Sequence, residues 1–120
     1  QRVYVVEIEL EKIFRIKKDF KPFVNIPKYP SVSRDIAVIV DKTVIAEDII
    51  ATVKKTGGKM LEEANIFDVF TSKQIGENNK SVAISMVFRA EDRTLTEEVI
   101  SAQIERILKA LEVRVGAKLR

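Results

Sequence analysis

The sequence has no cysteine and no histidine. The first absence excludes disulfides, thiol catalysis and cysteine-ligated zinc. The second removes the commonest general base and the commonest metal ligand, which leaves catalysis within this chain only carboxylates and lysines to work with. Long apolar runs are missing too. The longest are four- and five-residue stretches such as Ile36-Ala37-Val38-Ile39-Val40, against the roughly 20 residues a membrane-spanning helix needs. The start does not order a charged segment, an apolar stretch and a cleavage site as a signal peptide does. It opens on Gln1 without Met, as expected of a piece cut from a longer protein.

What is present describes one domain of ordinary size with a short appendage. The 120 residues are 46% hydrophobic and 32% charged, enough to bury a core. A net charge of +3 is ordinary and does not by itself indicate nucleic acid. The distribution of charge is more telling. Acids gather at Glu7, Glu9 and Glu11, at Glu47-Asp48 and at Glu97-Glu98, whereas Arg114 to Arg120 carries three basic residues and no acid.

Tyr4, Val6, Ile8 and Leu10 alternate with Glu7 and Glu9, which predicts a half-buried strand over 3–10, followed by a helical turn within Glu11 to Lys18. Asp19 to Ser31 holds all three prolines, Pro22, Pro27 and Pro30. Each removes a donor and pushes its predecessor toward extended geometry, so a stretched connector is expected. Residues 1–21 are read as the end of a preceding domain and its linker, and 22–120 as the domain proper.

Within that domain the apolar spacing predicts strands at Asp35 to Asp41, within Lys59 to Phe70, at Ser81 to Arg89 and at Glu112 to Arg120. In the second strand Phe67 and Val69 are placed toward the core. In the third it is Val82, Ile84, Met86 and Phe88, and in the last Val113, Val115, Ala117 and Leu119. Helices are predicted over Ile45 to Thr56, stopped by Gly57-Gly58, and over Thr96 to Leu111, with Thr96 as candidate cap and Glu97 and Glu98 suiting the dipole. The order β-α-β-β-α-β predicts the ferredoxin-like α+β plan, a four-stranded antiparallel sheet in the order 4-1-3-2 with both helices on one face.

The opposite parity then faces away from the helices: Asp35, Ala37 and Ile39; Asp68 and Phe70; Ser81, Ala83 and Ser85; Arg114, Gly116, Lys118 and Arg120. With strands one and three read as parallel, Ala37, Ser81, Phe70 and Arg120 are expected to converge at one end with Asp68 beside them. A ring for stacking, short polar groups for base edges and a guanidinium for phosphate form a set that binds single-stranded RNA. An exposed Phe on an edge strand equally fits a protein interface, and terminal basic residues are usually solvated, so both readings stay open on pattern alone. So does the role of Arg34 and Asp35, which fit an ion pair at the strand's start as well as RNA contact. Gly57-Gly58 reads as a helix stop because no second phosphate motif accompanies it. An acid–base enzyme using Asp35 and Asp68 lacks a pocket-forming loop and a second catalytic group.

Several short motifs carry a resemblance: Tyr29-Pro30, Arg34-Asp35-Ile36-Ala37, Phe67-Asp68-Val69-Phe70, Lys80-Ser81 with Ala83, Arg93-Thr94-Leu95-Thr96 with Glu98-Val99, and Gly116-Ala117-Lys118-Leu119-Arg120. In this order and spacing, the chain from about residue 22 onward resembles the C-terminal ferredoxin-fold anticodon-binding domain of the bacterial phenylalanyl-tRNA synthetase β chain. The resemblance implies an RNA-binding module that recognises the anticodon stem-loop of the tRNA for phenylalanine, with contacts from Ala37, Asp68, Phe70, Ser81 and Arg120. It implies no catalytic site and no cofactor in this chain, ATP and Mg²⁺ being handled by the parent enzyme. It also implies the synthetase α chain and the rest of the β chain as partners in a heterotetramer, a cytoplasmic location and no membrane. The 3–10 strand looks like the last strand of the domain before it. Two departures stand out: the family usually has Tyr where Phe70 stands, and Gly where Ser72 and Asn78 stand. The alternative is a protein-interaction or regulatory domain on the same plan, since fold alone does not fix function.

Overall fold

A computed structural model describes residues 2–15, 23 and 26–120. Among these, four strands form one antiparallel sheet: β1 (Val32–Asp41), β2 (Leu61–Phe70), β3 (Asn79–Phe88) and the short β4 (Lys118–Leu119). Their order across the sheet is β2-β3-β1-β4, the expected 4-1-3-2 arrangement read from the other edge. Three helices accompany them: α1 (Leu10–Arg15), α2 (Ala46–Gly57) and α3 (Glu97–Val115).

The core lies between the sheet and α2 and α3. On β3 the expected alternation holds, with Val82, Ile84, Met86 and Phe88 buried. They meet Val38 and Val40 of β1, Ile49 and Val53 of α2, and Ile100, Ile107 and Leu111 of α3 in one apolar cluster. Each helix turns one apolar stripe to the sheet, which leaves the other sheet face open.

The ends of α2 show why the sequence breaks there. Gly58 sits at φ 59°, a conformation that side chains disfavour. At Gly57 an added Cβ would lie 2.5 Å from Cδ2 of Leu61. The last carbonyls of α2 are satisfied from the neighbouring helix: buried Gln103 donates through Nε2 to the carbonyls of Thr56 at 2.8 Å and Gly57 at 3.2 Å. A second long-range tie holds the connector. Arg89 donates to the carbonyl of Tyr29 at 2.9 Å and pairs with Glu62 at 2.9 Å. Arg93, by contrast, only approaches its neighbour Asp92 at 3.9 Å.

Four expectations are corrected. Residues 2–9 carry no regular secondary structure, and Tyr4, Val6, Ile8 and Leu10 are exposed. A strand needs a ladder partner, and among the described residues this one has none. Of the predicted turn after it, α1 covers the part to Arg15, and residues 16–18 lie outside the described residues, as do residues 19–22, 24 and 25 of the connector.

The second correction concerns strand direction. β1 and β3 are antiparallel, with Val32 opposite Phe88 and Asp41 opposite Asn79. A helical crossover returns the chain to the end where it began, so β1 and β2 share a direction. The hairpin then reverses β3, which lies between them.

The third concerns the finish of the domain. Glu112 to Val115 belongs to α3, and β4 is only two residues long. Val113 is 86% exposed. This segment alternates like a strand but also continues the i, i+4 row Ile107, Leu111, Val115, and packing of that row decides for helix. The helix stops at Gly116, φ 64°, whose N–H donates to the carbonyl of Glu112 while the next N–H, of Ala117, donates to that of Leu111. Ala117 is buried as expected, while Leu119 is largely exposed.

The fourth concerns Phe67 and Val69, which are 60% and 54% exposed rather than in the core. The ladder slips between Ile66 and Asp68: Ile66 pairs with Ile84 and Asp68 with Ala83, so Phe67 is an extra, bulged residue. A second slip lies between Leu61 and Glu63. Each bulge inverts which parity faces the core. Ala64 and Ile66 face in before the Phe67 bulge, and Asp68 and Phe70 face out after it, although all four are even-numbered.

Candidate nucleic-acid interface

Register brings the five predicted site residues together on the open face. One row across the sheet runs Asp68, Ala83, Ala37 and then Arg120, whose N–H donates to the carbonyl of Ala37 at 3.0 Å. The adjacent row runs Phe70, Ser81, Ile39 and Lys118. Convergence therefore arises from lateral pairing near the finish of β2 and the start of β3, and not from a shared direction of β1 and β3.

The two rows make a shallow tray. Ala37 and Ala83 form a low floor between the carboxylate of Asp68 on β2 and the basic residues at β4. Phe70 is 48% exposed and Ser81 only 3%. The guanidinium of Arg120 lies over the Phe70 ring, 5.8 Å from its centroid, in range for a cation–π contact. From β4 it must cross β1 and β3 to get there, and the small side chains beneath leave that path clear. The frayed terminus that a last residue usually forms is thus replaced by a side chain laid across the sheet.

Other candidates fall elsewhere. Arg114 is in α3 and Gly116 is its stop, so neither lies on the open face. Arg34 lies opposite Met86, on the helix side, and pairs with Glu97 at 2.5 Å, at the start of α3 and not with Asp35. Asp35 is on the open face opposite Ser85, away from Phe70. Lys80 serves the backbone, donating to the carbonyls of Lys42 at 3.1 Å and Val44 at 2.5 Å. Lys42 in turn donates to the Glu77 carbonyl, which closes the β1 finish onto the hairpin loop. In that loop Ser72 has extended backbone at φ −149° and its hydroxyl accepts from the Gln74 N–H at 3.2 Å, so this position has no need of glycine. The left-handed position is taken by Gly76, φ 96°.

Among the described residues two carboxyls are perturbed, both outside the tray. Hydrogen bonds from the Thr43 hydroxyl and N–H hold Asp41 below the usual aspartate range. The Thr96 hydroxyl and the backbone N–H of Glu98 do the same for the Glu98 carboxyl, so Thr96 works through that carboxylate and makes no side-chain cap of its own. Among the described residues no cluster of three or more carboxylates is placed to hold a metal ion, and no helix is long and apolar enough to cross a membrane.

The fold and its open, ring-bearing sheet face define a ferredoxin-like α+β domain. Residues 27–120 match the family described as the ferredoxin-fold anticodon binding domain. The chain belongs to that family. Among curated proteins it is 38% identical over 120 residues to the phenylalanine–tRNA ligase beta subunit of Clostridium tetani, covering 100% of this chain and 15% of the relative. It is 41% identical over 117 residues to the subunit of the same name from Bacillus licheniformis, covering 98% and 15%. With that of Bacillus subtilis it shares 39% over 120 residues, again 100% and 15%. The chain thus spans about 15% of the length of the relatives it matches. The resemblance drawn from the short motifs is borne out.

Proposed function

We propose that this chain is the anticodon-binding module of a phenylalanine–tRNA ligase beta subunit, and that it holds the anticodon stem-loop of the tRNA for phenylalanine on its open sheet face. The observation that carries the reading is the gathering of Ala37, Asp68, Phe70, Ser81 and Arg120 into two adjacent rows. A base stacks on Phe70, whose ring supplies the platform without the phenolic hydroxyl usual in the family. Ala37 and Ala83 leave the base room to lie flat. Asp68 and Ser81 present short polar groups to its edge, and the Arg120 guanidinium serves base or phosphate.

In this reading the module has no catalytic site of its own. Joining phenylalanine to the tRNA, with its ATP and Mg²⁺, falls to the parent enzyme in the cytoplasm, where the α chain and the rest of the β chain are the protein partners. The test is titration of the chain with the anticodon stem-loop at several salt concentrations. Affinity is expected to fall with salt, with a log–log slope of about −0.7 per phosphate contact. Phe70→Ala is expected to cost about 1–3 kcal/mol of binding. No binding, or none lost on that substitution, would refute the assignment and favour a protein-interaction role.

A further inference from the structure

Resting on that tRNA-binding reading, the inference concerns Lys118, which falls outside the five residues above. We infer that Lys118 is the phosphate-side contact of the open face, holding the sugar–phosphate backbone at the β4 edge while Arg120 serves the base.

Lys118 lies opposite Ile39, in the row that continues through Ser81 to Phe70. Arg120 stands two residues further along the chain, just past β4 and still bonded to Ala37 of β1, so both side chains leave the same face, roughly 7 Å apart along the chain. They then part. The Arg120 guanidinium is drawn inward over the Phe70 ring, two strands away, and is thereby placed beside any base that stacks there. Its charge has left the sheet's edge. Lys118 is exposed, and among the described residues it is in no ion pair, so it remains as a cation on the open face at that edge.

Charge across the sheet gives the same direction. The β2 side of the open face carries Glu63, opposite Val87, and Asp68, opposite Ala83. The β4 side carries Lys118. A polyanion crossing this face is repelled from the β2 edge and drawn to the β4 edge, so the base points toward Phe70 with its backbone outward over Lys118. A flexible ammonium, a point charge without fixed donor geometry, suits a phosphate whose position shifts with the loop.

The experiment is stem-loop titration from 0.05 to 1 M salt with wild type, Lys118→Gln, Lys118→Arg and Arg120→Lys, each checked for folding by circular dichroism. Lys118→Gln is expected to make the log–log slope shallower by about 0.7, which over this range amounts to an affinity loss of about 8-fold confined to low salt. Its preference for the cognate anticodon over a permuted one should be unchanged. Lys118→Arg should restore the slope, and Arg120→Lys should keep the slope and lose the preference. An unchanged slope in Lys118→Gln, with wild type binding normally, overturns the Lys118 assignment alone. So does a loss of anticodon preference in that variant without a change of slope. Failure of wild type to bind overturns the tRNA reading, and this inference with it.

Discussion

Phe67 offers the sharpest test of how the open face is built. By alternation it belongs to the core with Val69. By register it is a bulged residue whose insertion turns Asp68 and Phe70 outward. The two descriptions differ in energy. Full burial of a large apolar side chain is worth about 1.5–3 kcal/mol, and Phe67 is 60% exposed, so Phe67→Ala should cost only about 1 kcal/mol. A core phenylalanine costs about 3–5 kcal/mol, and Phe88, fully buried, supplies that comparison in the same molecule. Deleting Phe67 is more telling still. Without it the pairs Ile66–Ile84, Asp68–Ala83 and Phe70–Ser81 can form a regular ladder with every face conserved, so the deletion variant should fold and keep stem-loop affinity within about threefold, a loss under about 1 kcal/mol. Urea unfolding of Phe67→Ala, Phe88→Ala and the deletion variant, with stem-loop titration of the last, is the assay. If Phe67→Ala costs as much as Phe88→Ala, or the deletion abolishes binding in a folded protein, the bulge does not set the face.

Three further outcomes are expected. Gly57→Ala should destabilise by about 1–3 kcal/mol in thermal unfolding, because its Cβ would overlap Leu61, whose own carbons approach to 2.5 Å. Gln103→Met, nearly equal in volume, should cost about 1–3 kcal/mol by leaving the last carbonyls of α2 without a donor, and amide exchange should rise first at that helix end. Asp41 has its carboxyl depressed by Thr43, so its contribution is present above the unfolded-state value and is lost as pH falls through the folded one. Thr43→Val should move the Asp41 midpoint back up in carboxyl-detected NMR, and no movement would show that the hydroxyl is not the cause.

The sequence by itself determined the element order, the core alternation of β3, the stop of α2 at Gly57-Gly58 and the family motifs. Each is a local signal: a period, a residue that permits or forbids a backbone angle, or a fixed spacing. It also placed Asp68 and Phe70 on the open face, although the Phe67 bulge that puts them there was not anticipated. Only the tertiary structure decided the rest. A bulge is a mismatch between two strands, so Phe67 cannot be recognised on β2 alone. Glu112 to Val115 satisfies both the strand and helix periods, and the packing of Leu111 and Val115 chooses between them. The antiparallel pairing of β1 and β3 follows from which strand lies between which, and Arg120 reaches Phe70 only because the strands between them carry Ala37, Ala83 and Ser81. These were not legible because each depends on a neighbour brought close by folding from a distant part of the chain.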